Sequence, residues 1–180
     1  MKFRSIYFLV FSLLLFSSSQ INPETYTAFK KNSEGQSLKV YALKLPEMID
    51  FAGEIAPLEY PDITERLDKE LLVNTYWQSN MMLLLKRANK YFPQIEKILE
   101  EEGVPNDFKY LAVIESALEN VRSPKGAKGF WQIMPTTARE YGLEVNTNVD
   151  ESYHLEKSTR VACKYLNKAK ERLGSWTLAA

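Results

Sequence analysis

Apolar residues recur at helical spacing along most of the chain beyond Asp62, and no stretch repeats the alternation of a strand. Asp62 and Glu65 form a capping-box pattern, and Leu67, Leu71, Leu72 and Thr75 then follow at helical spacing. Met81 to Phe92 places Leu84, Leu85, Ala88 and Phe92 on one side, which predicts a second helix. Pro93 suits the first turn of a third helix over Gln94–Glu102, with Gly103 as its cap and Pro105 blocking continuation. Asn106 is placed to cap a fourth helix, which carries the run Tyr110 to Leu118. A loop follows from Val121 to Gly129. Pro135, Thr136, Thr137 and Ala138 open another helix that Gly142 ends. Asp150 or Ser158 begins the last helix, which runs to Leu173 and stops at Gly174. The pattern predicts an all-α, mainly helical chain of short, closely connected helices, a class that also includes helical adaptors and solenoids.

The residues ahead of this region behave differently. Over 20–60 there is little periodicity, and Pro23, the Asn32–Gly35 cluster, Pro46 and Pro57 punctuate the stretch. This predicts an extended or disordered lead-in with a short strand at Leu38–Ala42. Residues 1–19 read as a secretory signal peptide. Lys2 and Arg4 make a basic start, Ile6 to Phe16 is apolar except for Ser12, and Ser17, Ser18 and Ser19 offer small residues for cleavage. The apolar run falls short of the ~20 residues a membrane-spanning helix needs. Cys163 is the only cysteine, so a lipid-modified cysteine after the leader and an internal disulfide are both excluded. Cys163 lies in a helical, apolar context and is expected to be a small buried residue.

Charge narrows the function classes. The chain holds 23 basic and 23 acidic residues, and losing the leader with Lys2 and Arg4 leaves 21 against 23. Nothing in that balance points to nucleic acid. His154 is the only histidine, which leaves little material for a histidine metal site or a Ser/His triad. The basic residues at Lys164, Lys168, Lys170 and Arg172, with Glu171 among them, read as a solvated helix face.

The candidate chemistry centres on Glu115, the only charged residue in the run Tyr110 to Leu118. Phe108, Leu111, Ala112 and Glu115 fall at i, i+3, i+4 and i+7, and Leu118 extends the stripe. The carboxyl is therefore expected to point toward the interior or a cleft, where burial and the nearby helix C-terminus raise its pKa. Such a group can act as a general acid. A buried glutamate held by an arginine or by backbone donors fits the same pattern. Downstream, Gly126 and Gly129 permit a sharp turn or close backbone approach, Trp131 offers a flat apolar face and Gln132 an amide in an apolar run. An acid, a glycine-rich loop and an amide among apolar residues suit glycan recognition. Trp131 and Met134, taken singly, fit a loop packed on the core better.

The motif string is Glu115-Ser116, then Gly126-Ala127-Lys128-Gly129-Phe130-Trp131-Gln132-Ile133-Met134-Pro135, then Tyr141-Gly142-Leu143, then Asn146 to Glu151. In order and spacing it resembles the soluble-lytic-transglycosylase domain family, in particular its membrane-bound lytic murein transglycosylase D type. The resemblance continues through Ser158 to Leu166 and Trp176 to Ala180, and also covers the helices from Asp62 to Glu102. It implies a lysozyme-like transglycosylase domain at 94–180 behind a helical segment at 61–93. The implied partner is the glycan strand of peptidoglycan, with no cofactor and no metal. Glu115 matches the family's catalytic acid, Gln132 and Met134 match residues lining the sugar groove, and Ser116 and Ser123 match motif positions that support it. An exported protein of the periplasm or cell envelope is implied, compatible with peripheral contact with the membrane. The family continues past Trp-x-Leu-Ala into Ala-Tyr-Asn, whose tyrosine belongs to the active site. This chain stops at Ala180, so the domain is expected to be incomplete at its C-terminus. The chain also departs from the family at Glu119-Asn120, Phe130 and Ser152. A non-catalytic peptidoglycan-binding or scaffolding protein, and a muramidase with a second carboxylate near Asp150, are the competing readings.

Overall fold

The computed structural model describes residues 42–180. The expected leader and all but the last residue of the expected 38–42 strand lie outside the described residues. The elements in chain order are a hairpin of β1 (Asp50–Phe51) and β2 (Glu54–Ile55), α1 (Pro61–Tyr76) and α2 (Gln78–Glu101). A short 3-10 turn (Asn106–Phe108) leads directly into α3 (Lys109–Ser116), and α4 (Pro135–Glu140) follows. A second 3-10 turn (Glu151–Tyr153) precedes α5 (Leu155–Leu173). The expected all-α, lysozyme-like class is the observed one.

Four element boundaries differ from the sequence expectation; the last helix, α5, starts at Leu155 with His154 as its N-cap, at neither Asp150 nor Ser158. Pro61 starts α1 with Tyr60 as N-cap and no side-chain cap bond, so Asp62 lies in the first turn, not at the cap. Asn106 likewise makes no capping bond to α3; it opens the 3-10 turn instead. Pro93 does not begin a helix: α2 runs through it. Proline costs about 3 kcal/mol inside a helix because its N–H is missing and its ring crowds the preceding turn. Burial outweighs that cost here. The stripe Ala88, Tyr91 and Phe92 continues past the proline into Ile95, Ile98 and Leu99, of which Ile95 and Leu99 are fully buried. Each fully buried aliphatic side chain contributes about 1.5–3 kcal/mol.

Within the stretch expected to be extended, residues 50–55 form an antiparallel hairpin, pairing Asp50 with Ile55 and Phe51 with Glu54. Ala52 at its tip has φ 55°. The hairpin is too short to stand alone. It is held from outside: the Ala52 amide donates to Asp107 Oδ2 at 2.8 Å. Phe51 packs on Phe108, centroids 5.2 Å apart.

The core lies where α2, α3 and α5 meet. Phe108 is fully buried within it and also packs on Trp176, centroids 5.3 Å apart. Tyr91 packs on Phe130 at 4.8 Å, carrying the core to the loop after α3. Arg160 of α5 reaches Glu102 at 2.8 Å and Glu101 at 2.7 Å, tying α5 to the end of α2. These two carboxylates hold the guanidinium pKa above its usual range. Cys163 is fully buried, as expected, and burial, with Glu102 adding to it, pushes its thiol up to about 12.

Candidate active site

The local fold around Glu115 starts from how α3 ends. The helix has only eight residues, and its buried positions are Ala112 and Ser116, continuing the line of Phe108. The core therefore lies one position round from the stripe read in the sequence. Leu111 and Glu115 form the edge of the buried face, and Glu115 is exposed, not buried. Of the two places expected for its carboxyl, the interior and a cleft, the structure gives the edge of a cleft. The position taken for the acid belongs to Ser116, which is tolerated there because its hydroxyl donates to the Phe130 carbonyl at 2.8 Å, with the Ala112 carbonyl at 3.0 Å. Ser116 thus joins the glycine-rich loop to the helix that carries Glu115.

Two consecutive left-handed residues end the helix, Ala117 at φ 52° and Leu118 at φ 56°. Each costs about 1–2 kcal/mol for a residue with a Cβ. Leu118 is buried as expected, but through this turn and not on the helical stripe. Arg87 of α2 fixes the turn. Its Nη1 donates to the Ala117 carbonyl at 3.2 Å, and the guanidinium pairs with Glu119. A cation at a helix C-terminus is favourable. The same pairing occupies Glu119, the acid nearest to Glu115 in sequence.

The loop that follows is built by its glycines and by Ser123. The Ser123 hydroxyl accepts from the Ala127 amide at 3.0 Å, and its amide donates to the Ala127 carbonyl at 2.8 Å. Ser123 shapes the loop and does not line the cleft. Gly129, at φ 75°, has no room for a side chain: a Cβ would lie 2.1 Å from the Ser152 carbonyl oxygen. Paired backbone bonds between Lys128 and Ile133, 3.1 and 3.0 Å, close the next turn. Gln132 sits in that turn at φ 46°. Its Nε2 donates to the Gly129 carbonyl at 2.8 Å and the Val121 carbonyl at 3.2 Å, leaving the amide oxygen as its remaining polar atom. Strain concentrated in this way is a property of functional sites.

These pieces bound a cleft of about 330 Å³. Leu111 and Glu115 of α3 form one side, Trp131 to Met134 and Thr137 the next, and Val161, Ala162, Tyr165 and Leu166 of α5 the third. Ala179 and Ala180 close it. The Trp131 indole is fixed by donating from Nε1 to the buried Thr159 hydroxyl at 2.8 Å. It is therefore both core and cleft wall. Met134 and Tyr165 are about half exposed at the rim. Of the sequence candidates, Glu115, Gln132 and Met134 line the cleft and Ser116 and Ser123 support it from behind. Leu111, Thr137 and Tyr165 had not been singled out. Their spacing alone is that of ordinary helix positions, and only the motif spanning 158–166 marked the neighbourhood of Tyr165.

Glu115 is, among the described residues, the only carboxylic side chain lining the cleft. Among the described residues, no hydrogen bond or ion pair occupies its carboxylate. Asp150 is placed elsewhere, paired with Lys128 and accepting from the Ser152 amide at 3.1 Å. Burial works to raise the Asp150 carboxyl, but its hydrogen bonds from Lys128 and Ser152 outweigh that and hold it below the ordinary value. Glu151 is also held low, by Lys157 first and then by the Glu144 amide. Asp150 and Glu151 are thus engaged in the 144–152 turn, away from the cleft lining. Among the described residues there is no group of acidic, histidine and cysteine side chains able to hold a metal ion.

Comparison with known sequences agrees with this geometry. Residues 93–180 match the Transglycosylase SLT domain. That span starts inside α2, so 15 of the helix's 24 residues precede it. Over 133 residues, 71% of the chain, the sequence is 31% identical to the membrane-bound lytic murein transglycosylase D of Escherichia coli strain K12. Identity and coverage are the same for the protein of that name from E. coli O6:H1 strain CFT073. The chain spans 28% of the length of these relatives. Through residues 93–180, the chain belongs to the Transglycosylase SLT domain family.

Proposed function

We propose that this protein is an exported lytic transglycosylase acting on peptidoglycan, with Glu115 as its one catalytic carboxyl. The observation that carries the reading is the single acid in the cleft. Ordinary glycosidases need two carboxyls, ~5–5.5 Å apart in retaining and ~6.5–9.5 Å apart in inverting enzymes. One suffices where the substrate supplies its own nucleophile. Glu115 protonates the β-1,4 glycosidic oxygen between N-acetylmuramic acid and N-acetylglucosamine, and the leaving sugar departs with that proton. The carboxylate then takes the proton of the muramic acid's 6-hydroxyl as that oxygen attacks the anomeric carbon. The product ends in a 1,6-anhydro ring, and no water is consumed.

The rest of the cleft fits this role. Trp131 and Tyr165 offer apolar faces to sugar rings, and Gln132 Oε1 can accept from an N-acetyl amide. Gln132 and Met134 line the sugar path, while Ser116 and Ser123 keep its loop in shape. The pairing of Asp150 with Lys128 weighs against the muramidase alternative. Residues 94–180 act as the catalytic domain, 61–93 as its helical support, and 1–19 as the export leader. No helix among the described residues is long and apolar enough to cross a membrane, so any membrane contact in the envelope is peripheral or made by other residues.

The test is mass spectrometry of fragments released from purified peptidoglycan by the chain and by Glu115→Gln. Anhydro-ended fragments from the wild type that vanish in the variant support the proposal. Free reducing ends would replace it with the muramidase. Tight binding to sacculi without cleavage would leave a binding protein.

A further inference from the structure

Glu54 lies outside the span matched to the family, in a stretch whose sequence carries no periodicity. Its carboxylate nevertheless gathers the start of the 175–180 turn. Oε1 accepts from the Trp176 amide at 2.7 Å, and Oε2 from the Ser175 hydroxyl at 2.6 Å and the Thr177 amide at 3.0 Å. Lys170 Nζ lies 3.5 Å from Oε1. These are charge-assisted bonds to amides that begin a helical turn, the place where an anion is favoured. The turn then closes on itself, with the Ala179 and Ala180 amides donating to the Trp176 carbonyl at 3.0 and 3.1 Å. Ala179 and Ala180 are the residues that close the Glu115 cleft.

We propose that Glu54 is a positioning residue for the cleft: the hairpin holds the 175–180 turn through it and so sets the wall formed by Ala179 and Ala180. This rests on the transglycosylase reading only for what the cleft binds. The hairpin is itself anchored on the Glu115 side of the fold, by Ala52 to Asp107 and by Phe51 on Phe108, just ahead of α3. Trp176 packs on the same Phe108. The hairpin, α3 and the wall therefore share one reference point, and Glu54 is the polar link that closes the circuit. Its hydrogen bonds from Ser175, Thr177 and Trp176 hold its carboxyl well below the ordinary range. A clamp that only stabilised the fold would leave substrate binding unchanged.

Three readings on the full chain test this: amide hydrogen exchange over 175–180, affinity for a β-1,4-linked N-acetylglucosamine oligosaccharide, and kinetics on peptidoglycan. Glu54→Ala is expected to speed exchange at Trp176 and Thr177 by about tenfold or more. Oligosaccharide affinity falls and KM rises by about the same factor, with kcat within about twofold and the pH midpoints of activity unmoved. Glu54→Gln, which keeps one acceptor oxygen, falls between. Arg160→Ala, which loses its pairs to Glu101 and Glu102 away from the cleft, serves as the destabilised control and keeps wild-type KM and affinity. Faster exchange with unchanged affinity and KM would overturn the proposal, leaving a structural clamp. Unchanged exchange would overturn it outright. Exchange and oligosaccharide affinity need no turnover, so failure of the wild type to make anhydro ends would sink the reaction and still leave this link testable.

Discussion

Replacing Gly129 with alanine isolates the close approach on which the cleft wall depends. Two costs add. At φ 75° a Cβ costs about 1–2 kcal/mol from the backbone conformation alone. The new methyl would also lie 2.1 Å from the Ser152 carbonyl oxygen and 3.1 Å from its carbon. An ordinary contact is about 3.5 Å. The overlap exceeds an ångström, and the obstacle is backbone. It cannot swing away, because Asp150 caps the Ser152 amide and Asn120 Nδ2 holds the Tyr153 carbonyl at 2.9 Å. Forced overpacking of this kind costs about 1–3 kcal/mol, so about 3 kcal/mol in total is expected. Gly126→Ala is the matched control. It shares the positive φ, at 94°, but nothing lies within 4 Å of its Cβ, so only the conformational cost of about 1 kcal/mol applies. For a domain of this size 1 kcal/mol moves Tm by roughly 3–5 °C, so Gly129→Ala should lower Tm by about 10 °C and Gly126→Ala by about 4 °C. Calorimetry or chemical denaturation of both variants, with unchanged m-values, measures this. Equal shifts would refute the steric argument and leave only the backbone conformation. Gly129→Ala should also weaken oligosaccharide binding, because both the backbone amide and Nε2 of Gln132 bond the Gly129 carbonyl.

Three other expectations follow from the same contacts. Trp131→Phe removes a buried donor and leaves the Thr159 hydroxyl one partner short, so a loss of about 2 kcal/mol in denaturant unfolding is expected, with weaker sugar binding. Cys163, fully buried with its thiol pushed up to about 12, should resist iodoacetamide at pH 8 and react only under denaturing conditions; rapid labelling of the native chain would show that the α5 core opens. Asp150, Glu151 and Glu54 all have folded-state pKa values below their unfolded ones. Their contribution is thus complete above about pH 5 and is lost as pH falls through the folded values. Urea midpoints should be level from pH 7 to about 5 and drop below about 4. Asp150→Asn should flatten part of that drop and cost about 2 kcal/mol at pH 7, by leaving Lys128 partly buried without its partner, while anhydro products persist.

Much of the fold is legible because its signals are local. Pro135 opens α4, and Gly142, Gly103 and Gly174 take the positive φ that ends or follows a helix. Those rules involve a few neighbouring residues and need no knowledge of the rest of the chain. The order and spacing of the motif around Glu115, Gly129 and Gln132 likewise identified the family and three of the cleft-lining side chains.

What the tertiary structure decided is which face of each element meets the core. A helical stripe is wide enough to be centred on Leu111 and Glu115 or on Ala112 and Ser116. Packing of Phe108 against Phe51 and Trp176 chose the second, which put Glu115 at the cleft and not in the interior. Pro93 reads as a boundary because its local cost is visible in sequence, whereas the burial of Ile95, Ile98 and Leu99 that overrides it is not. The hairpin at 50–55 has no periodicity to detect, since its stability comes from Asp107, Phe108, the Ser175 hydroxyl and the Trp176 and Thr177 amides, more than fifty residues away. Sequence by itself determined the glycine-marked helix ends, the turn glycines and the chemical groups available. Burial, and with it the exposure of the acid and the assembly of the cleft wall, came from contacts between residues far apart in the chain, which no local pattern encodes.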